Sequence, residues 1–184
     1  PGTAGYPVLT TAAANLMRVF GNDQQKSTFL PHMLSGRFTG TMALTEPHAG
    51  SSLADIRTSA TPTDDGHYLI KGAKIYISGG DQSLTENIVH MVLARSPDGP
   101  EGIKGLSLFI VPKFLVKDDG ALGDRNDLRC VSLEHKMGIN ASPTCVMSFG
   151  DDGGAEAYLV GEENRGIEYM FTMMNNARLA IGLE

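Results

Sequence analysis

The sequence predicts a mainly β domain, an antiparallel barrel or sandwich, with α-helices before and after it. Short apolar or β-favouring runs follow one another between residues 38 and 160, and turn residues separate them. Helical periodicity occupies the stretch before these runs and returns after residue 165. Because no helical pattern lies between the predicted strands, they indicate an antiparallel barrel or sandwich rather than a parallel sheet.

The N-terminal stretch, residues 6–35, is predicted to form two helices. Gly21 ends the first helix, and Asn22 or Asp23 caps the second. Pro31 has no backbone N–H, so it predicts a break or a restart within the second helix.

The central region is predicted to contain the strands. Asp-Asp-Gly occurs at 64–66, 118–120 and 151–153, and each Asp-Gly is typical of a hairpin turn. The polar segment 113–129 is predicted to be a surface loop. The predicted strands are 38–44, 57–62, 68–77, 87–95, 105–112, 130–136, 144–149 and 157–160.

The last stretch, from Arg165 onward, is predicted to be a helix with one apolar face. A methionine-rich stripe of this kind is typical of core packing. The stripe comprises Ile167, Met170, Met174, Ala177 and Ile181.

Composition excludes several classes of function. The chain has 184 residues and a net charge of −6 without basic clusters, which argues against nucleic acid or an anionic membrane as a partner. No apolar run reaches membrane-spanning length. Cys130 and Cys145 have no metal-site spacing and indicate reduced thiols of a cytosolic protein. The histidines also lack metal-ligand spacing, so no metal site is predicted.

The chain begins with Pro rather than Met and ends within a helical pattern. We therefore expect it to be a fragment of a longer protein, in which targeting signals would lie elsewhere.

One loop stands out, residues 41–52. A strand-like run ends in Thr45-Glu46-Pro47, and a small-residue loop containing Gly50 and Ser51 follows. Backbone amides and hydroxyls at such a loop can hold an anion or the edge of a heterocycle. Taken alone, the same residues fit a strand end followed by a turn.

This loop resembles the flavin-binding loop of the acyl-CoA dehydrogenases, in which a strand ends in T-E-P-x-A-G-S. Three further segments match that family, at residues 74–80, 134–142 and 159–166. The four matches occur in the family's order and extend over nearly the whole chain, which makes the resemblance far more specific than any one of them.

The resemblance implies a division into three parts. Residues 1–36 would end an N-terminal helical domain, residues 37–161 would form the whole middle domain, an antiparallel β-barrel, and residues 162–184 would begin a C-terminal helical domain. Segments 84–90 and 161–166 are most similar to a bacterial branch that includes 3-methylmercaptopropionyl-CoA dehydrogenases.

The resemblance also implies FAD as the cofactor. Met42, Leu44 and Thr45 would lie against the pyrimidine edge of the flavin, with the Thr45 hydroxyl as a donor. Gly50 and Ser51 would approach the pyrophosphate, and Ser51 would also contact the acyl-CoA. The alternative for Thr45 is strand propensity alone.

Four other residues complete the implied site. Tyr76 would pack on the flavin and Ser78 would lie near its N5, and their two-residue spacing puts both on one face of a strand. Asn175 and Arg178 would contact the acyl-CoA. The alternatives are an ordinary strand with an outward tyrosine and a helix with a surface arginine.

The implied reaction is oxidation of an acyl-CoA thioester to the trans-2-enoyl-CoA, by α-proton abstraction and transfer of the β-hydride to flavin N5. In a minority of the family the catalytic glutamate precedes the arginine that corresponds to Arg178. Here that residue is Ala177, so the base is expected outside this chain and no catalytic residue is predicted within it.

The implied partners are the acyl-CoA, an electron-transferring flavoprotein and further copies in a dimer or tetramer, in the bacterial cytoplasm. The family shares its flavin among domains and subunits, so the isolated chain is expected to be inactive and to hold FAD weakly. Two alternatives remain, a flavoprotein relative without dehydrogenation and a cofactor-free β-barrel binding module.

Overall fold

The computed structural model describes residues 5–117 and 119–182, so the outer ends of the first and third predicted domains lie outside it. The helices are α1 (Gly5–Phe20), α2 (Asp23–Leu34) and α3 (Gly166–Ile181). The strands are β1 (Phe38–Ala43), β2 (Ser59–Pro62), β3 (Tyr68–Ser78), β4 (Asn87–Arg95), β5 (Leu106–Pro112), β6 (Phe114–Val116), β7 (Leu122–Arg125), β8 (Leu128–Leu133), β9 (Thr144–Phe149) and β10 (Ala155–Leu159). Two short 3-10 turns lie at Leu53–Asp55 and Gly102–Gly105.

The predicted β-barrel with flanking helices is confirmed. β4, β5, β10 and β3 pair in that order, and β2 pairs with both β3 and β4, which closes the ring. β1 extends along β4, and β9 and β8 continue from β3. Most pairs are antiparallel, but β1 lies parallel to β4 in the register Phe38↔Asn87 to Ala43↔Val92.

Helix α2 begins as predicted and continues further than predicted. The Gln25 N–H donates to Asn22 Oδ1 at 2.8 Å, and the Asn22 N–H donates to Gln25 Oε1 at 3.1 Å, a reciprocal cap. The expected break at Pro31 was wrong, since α2 includes it. Phe29 and Met33 are buried on either side of Pro31, and their burial offsets the helical hydrogen bond that proline cannot donate.

The segment predicted to be a surface loop contains the hairpin of β6 and β7, so that prediction was wrong. The Gly120 N–H donates to Lys117 O at 2.8 Å at its turn, and Phe114 and Val116 are half-buried beside it. Of the Asp-Asp-Gly sequence predicted here, Asp118 lies outside the described residues.

The first and third Asp-Asp-Gly sequences differ. Residues 64–66 join β2 to its antiparallel neighbour β3, as expected of a hairpin. Residues 151–153 join β9 and β10, which both pair antiparallel with β3, so the expected hairpin there was wrong. The carboxylate of Asp127 accepts the N–H groups of Asp152 and Gly154. These hydrogen bonds fix the connection between β9 and β10, which pair with different parts of β3.

The apolar core has two layers separated by β4 and β5. Met91 and Leu93 of β4 face the helices, whereas Val92 and Ala94 face the barrel interior. Helix α3 packs closely on β5 at Gly166. A Cβ at that position would lie 2.4 Å from the carbonyl carbon of Ser107, so only glycine allows this approach. The helical core is therefore continuous with the outer face of the barrel, and the predicted domain boundaries remain a prediction.

Candidate functional site

The end of β1 lies against the middle of β3. The Ile75 N–H donates to Thr45 O at 2.9 Å, and Lys74 Nζ donates to Leu44 O at 2.9 Å. The residues that follow β1 are thus adjacent to those that precede Tyr76. Two of the patches that the sequence predicts, residues 42–51 and residues 76–78, therefore meet at one junction.

A buried ion pair holds this junction together. Lys74 and Glu46 have 0% and 3% of their surfaces exposed, and Lys74 Nζ lies 2.8 Å from Glu46 Oε1. The same carboxylate accepts the backbone N–H groups of Arg57 at 2.8 Å and Thr58 at 3.0 Å, and the Thr58 hydroxyl. The pair therefore connects three segments of the chain, namely the end of β1, β3 and the start of β2.

Burial and charge act against each other at this pair. Burial lowers the pKa of Lys74 to about 8, although Glu46 opposes that shift. Burial raises the pKa of Glu46, but the charge of Lys74 and the hydrogen bonds from Lys74, Thr58 and the Arg57 N–H outweigh it, so the pKa is lowered overall. Both groups are ionised near neutral pH.

Sequence reasoning missed Lys74 and Glu46 as a pair, although each lies in a motif it used. One signal was available in the period of β3. Ile70 faces the barrel, and residues four apart in a strand lie on the same face. Lys74 was therefore predictable as an inward lysine, which requires a buried partner.

The loop after β1 closes into a tight turn. The Glu46 N–H donates to Ala49 O at 3.0 Å, and the Ala49 N–H donates to Glu46 O at 3.1 Å, with Pro47 as the second residue of the turn. Gly50 and Ser51 follow on the surface, and a Cβ at Gly50 would have no heavy atom within 4 Å. The space beside Gly50 is therefore open to a ligand.

Thr45 presents two donors at the junction. It is half-buried, and its carbonyl accepts the Ile75 N–H. Within residues 5–117 and 119–182, neither its N–H nor its hydroxyl has an acceptor. Two such donors side by side, one from the backbone and one from a hydroxyl, suit the acceptor edge of a heterocycle. These donors and the open side of Gly50 fit a flavin, with its acceptor-rich pyrimidine edge and its pyrophosphate.

Tyr76 lies in a β-bulge. The register of β3 on β9 shifts between Lys74 and Ile77, and Tyr76 has a φ of 60° with 59% of its surface exposed. A bulky residue in this left-handed region costs about 1–2 kcal/mol. The bulge turns the ring to the surface, and Ser78 is exposed as well. The alternation of the strand is interrupted between Lys74 and Ile77 and is regular again from Tyr76 to Ser78.

An apolar cavity lies between α1, α3, the first half of β1 and the end of β3. Its volume is about 250 Å³. Leu9 and Gly40 line it on one side, and Ala177 and Ser78 line it together with Ile139. The structure thus brings together Ser78 and Ala177, two positions that the sequence singled out separately.

Helix α3 has a different buried face from the predicted one. Tyr169 and Met173 are buried, whereas Ile181 is 68% exposed, so that part of the predicted stripe was wrong. The reason is that the side chains of Tyr169, Met170 and Met173 fill the core, whereas Ile181 borders a cavity beside Leu9 of α1. Asn175 and Arg178 are exposed and contact each other, with Arg178 Nη1 2.9 Å from Asn175 Oδ1.

Other chemistry-bearing groups are sparse in the part of the chain that the structure describes. Burial lowers the pKa of His90 to about 3, so its ring is neutral inside the barrel. No cluster of metal-ligating side chains is found among residues 5–117 and 119–182. No helix among the described residues is long and apolar enough to span a membrane.

Comparison with protein families gives one match. Residues 41–151 match the family described as acyl-CoA dehydrogenase, middle domain. This range begins within β1 and contains both halves of the junction.

Individual relatives agree with that match. The chain is 53% identical over 97% of its length to 3-methylmercaptopropionyl-CoA dehydrogenase of Ruegeria pomeroyi, and covers 30% of that protein. It is 41% identical over 99% of its length to a butyryl-CoA dehydrogenase of Syntrophomonas wolfei, and covers 31% of it. The chain thus spans about a third of the length of these relatives, and the first agrees with the bacterial branch predicted from the sequence.

A solved structure has the same fold. Caenorhabditis elegans ACDH-11, in complex with C11-CoA, superposes with a TM-score of 0.74 at 25% identity. The match covers 94% of this chain and 29% of that protein.

Proposed function

The chain belongs to the acyl-CoA dehydrogenase family, and from that premise we propose that the protein containing it oxidises an acyl-CoA thioester to the trans-2-enoyl-CoA with FAD. The observation that supports this most is the junction of β1 and β3, where Thr45 offers an N–H and a hydroxyl without an acceptor among the described residues. Bound FAD would supply a two-electron acceptor for the hydrogen leaving the β-carbon.

The proposed flavin site uses the residues around that junction. Met42, Leu44 and Thr45 would line the pyrimidine edge, with both Thr45 donors directed at its acceptors. Tyr76, which the bulge turns outward, would cover the ring, and Ser78 would donate near its reactive nitrogen. Ser78 also lines the apolar cavity. This cavity is a suitable place for the acyl chain beside the flavin ring.

The pyrophosphate is assigned to the surface beyond the turn. Gly50 leaves room for it, and Ser51 adds an exposed hydroxyl that would also contact the acyl-CoA. Asn175 orients the Arg178 guanidinium through their hydrogen bond, and this pair would bind the acyl-CoA. Ala177 has no ionisable group, so the base that removes the α-proton is assigned to chain beyond these residues.

The remaining assignments follow from the family. Electrons would pass to an electron-transferring flavoprotein, and the protein would form a dimer or tetramer. The two free thiols, Cys130 and Cys145, support the bacterial cytoplasm as its location. The boundaries after residues 36 and 161 are proposed as domain boundaries.

The test is an assay of the full-length protein. We expect purified protein to carry flavin absorbance and to reduce an artificial electron acceptor with some member of a panel of acyl-CoAs. Colourless protein that ignores added FAD would favour a cofactor-free module. Protein that binds FAD but is not reduced by any acyl-CoA would favour a relative without dehydrogenation.

A matched pair of variants tests the site itself. Thr45→Val removes a hydroxyl at nearly constant volume and should raise the dissociation constant for FAD about tenfold, the loss of one good hydrogen bond. Thr61→Val makes the same change on the exposed face of β2 and should leave FAD affinity unaltered. Equal affinities for the two variants would contradict the assignment of Thr45.

A further inference from the structure

Lys74 is an unusual residue for the interior of a strand. Its side chain is fully buried, and its ammonium donates to two acceptors, Glu46 Oε1 at 2.8 Å and Leu44 O at 2.9 Å. Burying two charges costs free energy that an apolar pair would not. The contact with Glu46 explains how the charge is tolerated, but it does not explain why a charge lies against the Leu44 carbonyl.

The Leu44 carbonyl and the Thr45 N–H belong to one peptide group. A cation that hydrogen-bonds the oxygen of a peptide draws electron density toward it and makes the N–H of the same peptide a stronger donor. As described above, the Thr45 N–H has no acceptor within residues 5–117 and 119–182. The charge of Lys74 is therefore coupled through one peptide group to a donor at the proposed flavin edge.

Reduction changes what that donor contacts. FAD gains two electrons and, in its anionic reduced form, one proton, so negative charge develops at the pyrimidine end. A strengthened donor stabilises the reduced form more than the oxidised one. We propose that Lys74 is a positioning residue that raises the reduction potential of FAD by polarising the Leu44–Thr45 peptide, an inference that rests on the proposed function.

Glu46 has a separate part in this arrangement. It receives Lys74 Nζ on one oxygen while Thr58 and the Arg57 N–H fix the carboxylate from the start of β2. The ammonium is thus held at a defined place beside Leu44 O. Its charge is compensated enough to remain inside the protein, yet it lies in direct contact with the peptide it polarises.

The test measures the reduction potential of FAD in the full-length, FAD-loaded protein by titration against a reference dye. Lys74→Met should lower the ratio of reduced to oxidised FAD at a fixed applied potential about tenfold, which is about 30 mV for a two-electron couple. Lys71→Met is the control. It removes an exposed lysine from the same strand and should leave the potential unchanged. An unaltered potential in Lys74→Met with FAD bound would overturn the proposal.

A second variant covers the case in which Lys74→Met does not retain FAD. The double variant E46Q/K74M removes both charges, so no unpaired buried charge remains. Its potential should shift in the same direction by at least threefold in the ratio, about 14 mV. Retention of FAD at the original potential would overturn the proposal. Loss of FAD from both variants would overturn it too, since the pair would then serve folding alone.

The outcomes also separate this proposal from the proposed function. Wild-type protein that binds no FAD would contradict the proposed function before any variant is compared. Wild-type protein that binds FAD and oxidises acyl-CoA, while the potential is the same in Lys74→Met, would contradict only the assignment of Lys74.

Discussion

The two ends of β1 each carry an ion pair, and the two pairs differ in burial far more than in length. Before the strand, Arg37 Nη2 lies 2.6 Å from Glu86 Oε2, with 47% and 49% of the two side chains exposed. After the strand, Lys74 Nζ lies 2.8 Å from Glu46 Oε1, with 0% and 2% exposed. From their distances alone, the two pairs would be expected to contribute equally to stability. Because charges interact more strongly away from water, only the buried pair is expected to have a large effect.

The difference locates the candidate site. Water screens the pair at the start of β1, so we expect loss of that pair to cost the barrel little stability. At the other end the ammonium of Lys74 lies next to the Thr45 N–H and hydroxyl, which have no acceptor among the described residues, and to the loop at Gly50. Preorganised charge in a dry surrounding is what a site needs in order to stabilise charge that develops during a reaction.

The largest effect is expected from breaking the buried pair on one side. Lys74→Met leaves the Glu46 carboxylate buried without its cation and should lower the free energy of unfolding by about 3–5 kcal/mol. Urea denaturation followed by circular dichroism measures this. E46Q/K74M should lose much less, and equal losses in the two variants would show that the charge itself is unimportant.

A smaller effect is expected at the middle of the same strand. Thr41 Oγ1 lies 2.7 Å from Nδ1 of the buried His90, whose Nε2 has no partner among the described residues. Thr41→Val would leave both ring nitrogens unpaired and should cost about 1–3 kcal/mol in the same denaturation experiment. Thr61→Val, on the exposed face of β2, is the control. A loss no greater than that of the control would mean that Thr41 does not satisfy the histidine.

Acid should weaken the buried end of β1 through Glu46. Its pKa in the folded protein lies below the ordinary value of 4.5. The stability it contributes is therefore present above the unfolded pKa and is lost as the pH falls through the folded one. The free energy of unfolding of the wild type should decline below about pH 4.5 more steeply than that of Glu46→Gln. Glu101→Gln, at an exposed carboxylate, should decline like the wild type, and parallel curves for all three would refute this.

The smallest effect is expected at the exposed end. Arg37→Gln should shift the urea midpoint little, and 1 M NaCl should remove whatever shift there is, because salt screens exposed charges. The loss in Lys74→Met should persist at that salt concentration. If salt abolished both effects alike, the contrast between the two ends of β1 would be unfounded.

Sequence reasoning located the strands well because their apolar runs and turns are local features. The strands 87–95 and 144–149 were predicted with their exact bounds, and β1 and β3 were within one residue. The prediction of a helix break at Pro31 was wrong because burial of the neighbouring side chains outweighed the loss of one helical hydrogen bond. The turn at 151–153 misled because an Asp-Gly sequence fixes a local bend, whereas partner strands are chosen by distant residues.

The candidate site was predictable in part. The residues of the loop after β1 and of the segment at Tyr76 were recognisable as motifs, but their contact depends on pairing across about thirty residues. The bulge at Tyr76 arises from the register of β3 on β9, which no pattern within β3 contains. Lys74 and Glu46 were overlooked because charged residues are ordinarily exposed, and only the period of β3 indicates otherwise.

The most direct measurement is a crystal structure of the full-length protein with FAD bound. The Thr45 N–H and hydroxyl should lie about 2.7–3.2 Å from acceptors of the flavin pyrimidine ring. The Leu44 carbonyl should still receive Lys74 Nζ behind them. A flavin bound elsewhere on the protein, or a Thr45 N–H that contacts only water, would contradict the assignment of this junction as the flavin site.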